Sequence, residues 1–147
     1  MFRYLLTAPL FAHGFMNVFP LRLQPDQDLR QALQAFAIAH TIEAGFILSA
    51  IGSFKQVALR FADQSTSTVW QGRYELLSLA GTLSVHGTHL HLAIADSTGQ
   101  AFGGHLTEGC IIYTTAELVI GCSLDHVFRR TLDDQTGFSE LQVIRRN

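Results

Sequence analysis

Lysine is nearly absent: Lys55 is the single one in 147 residues. Charged residues make up only 15% of the chain, and the net charge is −2. No basic run is longer than Arg129-Arg130 or Arg145-Arg146. Neutralising nucleic-acid phosphates needs clustered lysine and arginine, so charge argues against a stand-alone DNA binder. Cysteine occurs twice, as Cys110 and Cys122, with no Cys-x-x-Cys motif. Neither stands at metal-ligand spacing from His89, His91 or His105. Two buried free thiols in a reducing, cytoplasmic compartment are the expectation. A glycine-rich phosphate loop with its lysine is missing, and so is a Gly-x-Ser-x-Gly nucleophile elbow. Internal repeats, linkers and low-complexity runs are also missing.

Apolar residues, by contrast, reach 48%. That is rich for a soluble monomer of one-domain length and suits an oligomer that buries one face. Residues 1–16 read as an N-terminal extension and residues 17–147 as a single domain. Met1 to Phe19 has an apolar run behind Arg3, but Pro9, His13 and Asn17 interrupt it. No small-x-small cleavage site follows, and the run is too short to span a membrane. Asn17 to Leu23 is the first predicted strand. Asp28 to Glu43 is the clearest helix, capped by Asp26 or Asp28, with Leu29, Leu33, Phe36 and His40 on one face and Gly45 as its stop. Phe46 to Ile51 reads as a short strand closed by Gly52. Phe54 to Phe61 and Arg73 to Ser84 read as further strands, the latter with Glu75, Leu77, Leu79 and Leu83 on one face. Ala62 to Thr68 reads as a loop. Ile111 to Cys122 is apolar and long, with a bend expected near Thr115. Phe128 to Leu132 and Leu141 to Ile144 flank the turn at residues 133–137 as edge strands.

The densest chemistry lies between Gly87 and Gly109, GTHLHLAIADSTGQAFGGHLTEG. Thr88 to Ala95 and Gln100 to Leu106 read as two strands about the turn formers Asp96 to Gly99. His89 and His91 leave one face of a strand, roughly 6.5–7 Å apart along the backbone. Antiparallel return places His105 opposite or diagonal to His91, with a bulge at Gly103-Gly104 able to set the register. A lone strand histidine is usually a surface or hydrogen-bonded core residue. Three converging imidazoles instead form a donor set for a divalent metal, zinc foremost. Glu75 and Glu117 are lesser candidates for a catalytic base or fourth ligand. Glu75 is better explained by pairing with Arg60 or Arg73, or by exposure. His13, His86 and His126 have no partner at ligand spacing.

The order His89-x-His91, turn, Gly103-Gly104-His105-Leu106, Gly109 resembles the plants-and-prokaryotes conserved domain, the PPC or PCC domain. Leu21-Arg22-Leu23, residues 25–29, Ile51-Gly52-Ser53 and residues 72–82 match in sequence order, so the resemblance runs from about Asn17 to Val143. Asp26 stands where the family pattern has glycine, which affects a turn and leaves the histidines untouched. The resemblance implies an α+β fold, a mostly antiparallel and strongly twisted sheet with one main helix packed on it, assembled as a homotrimer. It also implies a metal at His89, His91 and His105. The plant members bind DNA through an AT-hook, an element this sequence does not contain.

Three functions follow as expectations. The first is a trimeric metal-binding protein whose open coordination position takes water, a small anion or a small molecule, with metal-dependent catalysis as an extension. A distant similarity of the triad to acetolactate decarboxylases points to small oxo- or hydroxy-acids. The second is a DNA-binding or regulatory protein acting through partners. The third is a structural trimer whose histidines only tie the hairpin together.

Overall fold

The computed structural model describes residues 14–147. Most of the expected N-terminal extension, including His13, therefore lies outside the described residues. The chain runs β1 (Met16–Leu23), α1 (Leu29–Ala39), β2 (Gly45–Arg60), β3 (Thr68–Ser84), β4 (Gly87–Ala95), β5 (Ala101–Leu106), β6 (Ile111–Ser123), β7 (His126–Leu132) and β8 (Ser139–Arg145). Among the described residues six strands make one antiparallel sheet in the order β1-β6-β2-β3-β4-β5, and β7 and β8 form a separate hairpin. One short helix on a mostly antiparallel sheet is the α+β arrangement expected. Among the described residues no helix is long and apolar enough to cross a membrane.

The large sheet curls until its edge meets its middle. The end of β2 pairs with β5, Leu59 opposite Leu106 and Arg60 opposite His105. Strands β2, β3, β4 and β5 therefore close into a ring. Closure hides the edge that β5 would otherwise expose. The core fills the concave side with Phe54, Val57, Leu59, Leu83, Leu92, Ile94 and Ile112, and α1 adds Leu29, Leu33 and Ala37.

Asp28 caps α1 by accepting from Gln31 N at 3.0 Å, and its other oxygen accepts from Gly109 N at 2.6 Å. One carboxylate thus fixes the helix start to the loop before β6. The helix ends four residues earlier than the sequence pattern predicts. Thr41 adopts φ +50° and turns the chain, while Ile42 N donates to Ala37 O at 2.8 Å. A left-handed threonine takes the place of the expected glycine stop. Gly45 instead opens β2 and is packed against Ile42 and Leu83. His40 is exposed, with its ring 4.2 Å from that of Phe36.

Two further expectations are corrected. The two strands predicted on either side of Gly52 are one 16-residue strand. Gly52 does not end it: at φ +153° its Cα passes so close to β6 that a Cβ would lie 2.4 Å from Thr115 O. The irregularity expected in β6 near Thr115 is present: between the pairs Gly52–Ala116 and Phe54–Ile112, residues 113–115 of β6 stand against Ser53 alone on β2. Finally, β3 begins at Thr68, inside the predicted loop. Its register against β4 jumps between Leu76 and Ser78, so Leu77 is left 52% exposed while Leu76, Leu79 and Leu83 are buried. A bulge reverses side-chain parity, which alternation alone does not reveal.

Candidate metal centre

The turn between β4 and β5 is held by Asp96. Its Oδ1 accepts from Thr98 N at 2.8 Å, Thr98 Oγ1 at 2.6 Å and Gln100 N at 3.0 Å. Those bonds, the side-chain hydroxyl foremost, hold the Asp96 carboxyl below its usual range. The turn fixes the register, and His91 falls directly opposite His105. No bulge interrupts this pairing: Leu92 faces Gly104 and Ala93 faces Gly103 in unbroken order. The glycines serve close approach instead. A Cβ on Gly103 would lie 2.4 Å from Leu92 O, and one on Gly104 2.8 Å from Arg60 O. The second contact is the closure of β5 on β2.

The three rings converge. His91 and His105 have centroids 4.4 Å apart, His89 and His91 5.2 Å, and His89 and His105 5.4 Å with the last pair nearly parallel. One ligand nitrogen from each lies within 4.8 Å of the others. A tetrahedral zinc with nitrogen at about 2.05 Å spaces its ligands about 3.4 Å apart, so the widest pair needs to draw in by up to about 1.4 Å. Their donor chemistry fits a divalent metal of borderline softness.

Two guanidinium groups attend the histidines. Arg60, the cross-strand partner of His105, arrives from β2. Arg130 arrives from β7, with Nη2 3.2 Å from His89 Nδ1 and 2.6 Å from Ser139 O. Burial foremost, then Arg130 and His91, holds the His89 imidazole below its ordinary pKa, while Glu140 acts in the opposite sense. Burial and Arg60 do the same to His105. Neutral imidazole is the metal-binding form, so both shifts reduce proton competition for the ring nitrogens.

The other sequence candidates lie elsewhere. Glu75 is exposed on β3 opposite Ala95, four residues along β4 from His91 and roughly 13 Å away along the strand. Glu117 is exposed on β6, opposite Arg22 and Ile51. Glu108 accepts from Arg30 at 3.0 Å and from Gln31 at 3.3 Å. His126 Nδ1 lies 2.8 Å from Ser123 Oγ, and His86 is exposed. Sequence reasoning missed Arg60, Arg130 and Glu140. No local motif marks them; only the β2–β5 pairing and the β7–β8 hairpin bring them in.

Comparison with known proteins gives a family. The model of the Plants and Prokaryotes Conserved (PCC) domain matches residues 11–123. That match ends before β7, so Arg130 stands outside it. Over 130 residues the chain is 50% identical to the Bifunctional protein GlmU of Synechococcus sp. (strain JA-3-3Ab), covering 88% of this chain and 21% of that protein. The chain thus spans about a fifth of the length of the curated relatives it matches. A hypothetical protein from Salmonella cholerae-suis superimposes with TM-score 0.89 at 39% identity, over 91% of this chain and 97% of that one. The Metal-containing Protein AF0104 from Archaeoglobus fulgidus superimposes with TM-score 0.75 at 26% identity, over 86% and 93%.

Proposed function

The chain belongs to the Plants and Prokaryotes Conserved (PCC) domain family, and from that premise we propose that it is a trimeric metal-binding protein. His89, His91 and His105 hold the ion, zinc foremost, and a fourth position is left for a small ligand. The observation that carries this reading is the approach of three imidazole nitrogens to within 4.8 Å. Likeness to a protein described as metal-containing supports it.

Three protein ligands with one open position is the coordination of a zinc site that binds or activates a ligand rather than one that only braces a fold. When bound, the metal supplies Lewis acidity at that position. The chain's own part is to orient the rings on a rigid hairpin and to keep them neutral. Exposed apolar side chains on four neighbouring strands support self-association: Val18 on β1, Tyr113 on β6, Ile51 on β2 and Val69 on β3. Arg30, Arg60 and Arg130 converge on one cavity and do not form a stripe. That suits a small anion better than a duplex.

Elemental analysis of the purified chain, before and after chelator, tests the reading, with sedimentation to give the assembly state. Near-stoichiometric metal that chelator removes supports it. A metal-free protein that takes up no added zinc, cobalt or nickel overturns it.

A further inference from the structure

We propose that the cavity beside the three histidines binds a small oxoanionic molecule, whose carboxylate or phosphate is held by Arg60 and Arg130 while another of its oxygens reaches the metal. The second contact rests on the metal reading above; the first stands on the arginines alone.

The cavity has a volume of about 550 Å³, with Arg30, Arg60, His89, His105, Arg130 and Glu140 among its lining residues. Its arginines differ in what they already hold. Arg30 is taken by Glu108 at 3.0 Å. Among the described residues no carboxylate lies within 4.0 Å of Arg60 or Arg130. Arg60 donates one bond, from Nη1 to Gln64 O, and Arg130 uses only Nη2. Each is half-buried and keeps donors of its fork unused. A guanidinium fork matches the paired oxygens of carboxylate and phosphate, and such charge-assisted bonds are among the strongest available.

Acidic groups at the cavity do not remove this preference. Asp63 is exposed at the rim, and Glu140 accepts from Thr136 Oγ1 at 3.1 Å. With a dication on the histidines the balance is positive. The two arginines also come from different elements, Arg60 on β2 and Arg130 on the β7–β8 hairpin. Phe138 and Ser139 of that hairpin line the same cavity. An anion between them ties the hairpin to the ring of strands.

The contact between Arg130 and His89 adds an order of events. Arginine only donates, so His89 Nδ1 accepts and the ring proton sits on Nε2. In that state His89 has no free lone pair. A metal on His89 therefore displaces Arg130 from the ring, and the freed fork faces the cavity. Metal first and anion second is the sequence this favours.

The test uses the full chain with malonate and inorganic phosphate as probes, titrated by calorimetry into zinc-loaded and chelator-stripped protein. Arg60→Gln and Arg130→Gln are run in parallel, with metal content and circular dichroism checked in every sample. The expected result is millimolar or tighter binding of one probe to the loaded wild type, weakened at least roughly tenfold in each variant at unchanged metal content and fold. The preferred probe separates a carboxylate ligand from a phosphate one. Binding of neither probe, or equal binding to wild type and both variants, overturns the proposal. If no sample takes up metal, the metal reading alone falls. Arginine-dependent binding to stripped protein then still supports the arginine site, and its absence overturns it.

Discussion

Arg130 Nη2 donates to His89 Nδ1 across 3.2 Å, a guanidinium placed where a metal-ligating histidine usually has an acceptor. Arg130 and a metal ion therefore compete for His89. Replacing Arg130 with leucine removes both the competing donor and a positive charge beside the ion. Metal affinity should rise roughly three- to tenfold, read by competition against a chromophoric chelator. Unchanged or weaker affinity would show that the contact does not oppose binding.

The histidine shifts set a pH dependence. In metal-free protein the folded state holds His89 and His105 below the ordinary 6.5. Folding then favours the neutral rings. Their contribution is present above about pH 6.5 and is lost as pH falls through the depressed folded values. The melting midpoint of metal-free protein should fall as pH drops from 7 toward 5, and bound zinc should oppose that fall until protons displace it. Ring proton shifts in NMR give the individual values. Arg60→Gln should raise His105 and Arg130→Leu should raise His89.

Cys110 predicts behaviour at the other end of the scale. Burial pushes its thiol from 9.0 up to about 12, with Asp28 adding to the rise and a hydrogen bond with Ala58 opposing it. A raised folded value means stability that is intact below about pH 9 and lost as pH rises toward 12. Alkaline melting should be steeper for wild type than for Cys110→Ala, whose overall midpoint is lower because a cavity replaces the thiol. At neutral pH the native protein should react slowly with thiol reagents and the unfolded protein quickly.

Gly103 links the fold to the site. Alanine there brings a methyl group to 2.4 Å from Leu92 O, and the contact is backbone that cannot swing aside. The two strands must separate, at a cost of about 1–3 kcal/mol, and His105 moves away from His91. Gly103→Ala should lower both the melting midpoint and metal affinity. A variant that melts earlier but binds metal as tightly as wild type would show that the hairpin spacing does not set the site.

Much of the hairpin was legible from local signals. Alternation, the turn formers at residues 96–99 and the His-x-His spacing suffice to bring His89, His91 and His105 together, because all three lie within one supersecondary unit. The helix start was equally local, since Asp28 acts within its own first turn. What the pattern did not reveal depends on distant backbone. Gly52 reads as a strand end, yet β6 passing at Thr115 makes it a point of close approach. Leu77 shares parity with Leu79, yet one bulge turns it outward. Thr41 carries no sign that it will take a left-handed stop. Arg60 and Arg130 are unremarkable in the sequence. They become site residues only when β2 closes on β5 and the C-terminal hairpin folds over.

The most direct measurement is metal affinity in a single substitution at His91, the exposed member of the triad. The three-histidine account predicts about one divalent ion per chain in wild type. It also predicts that His91→Ala weakens binding by more than the roughly 10–100-fold typical of outer-shell partners, with the melting midpoint of the metal-free protein unmoved. Wild-type affinity in His91→Ala would contradict the account.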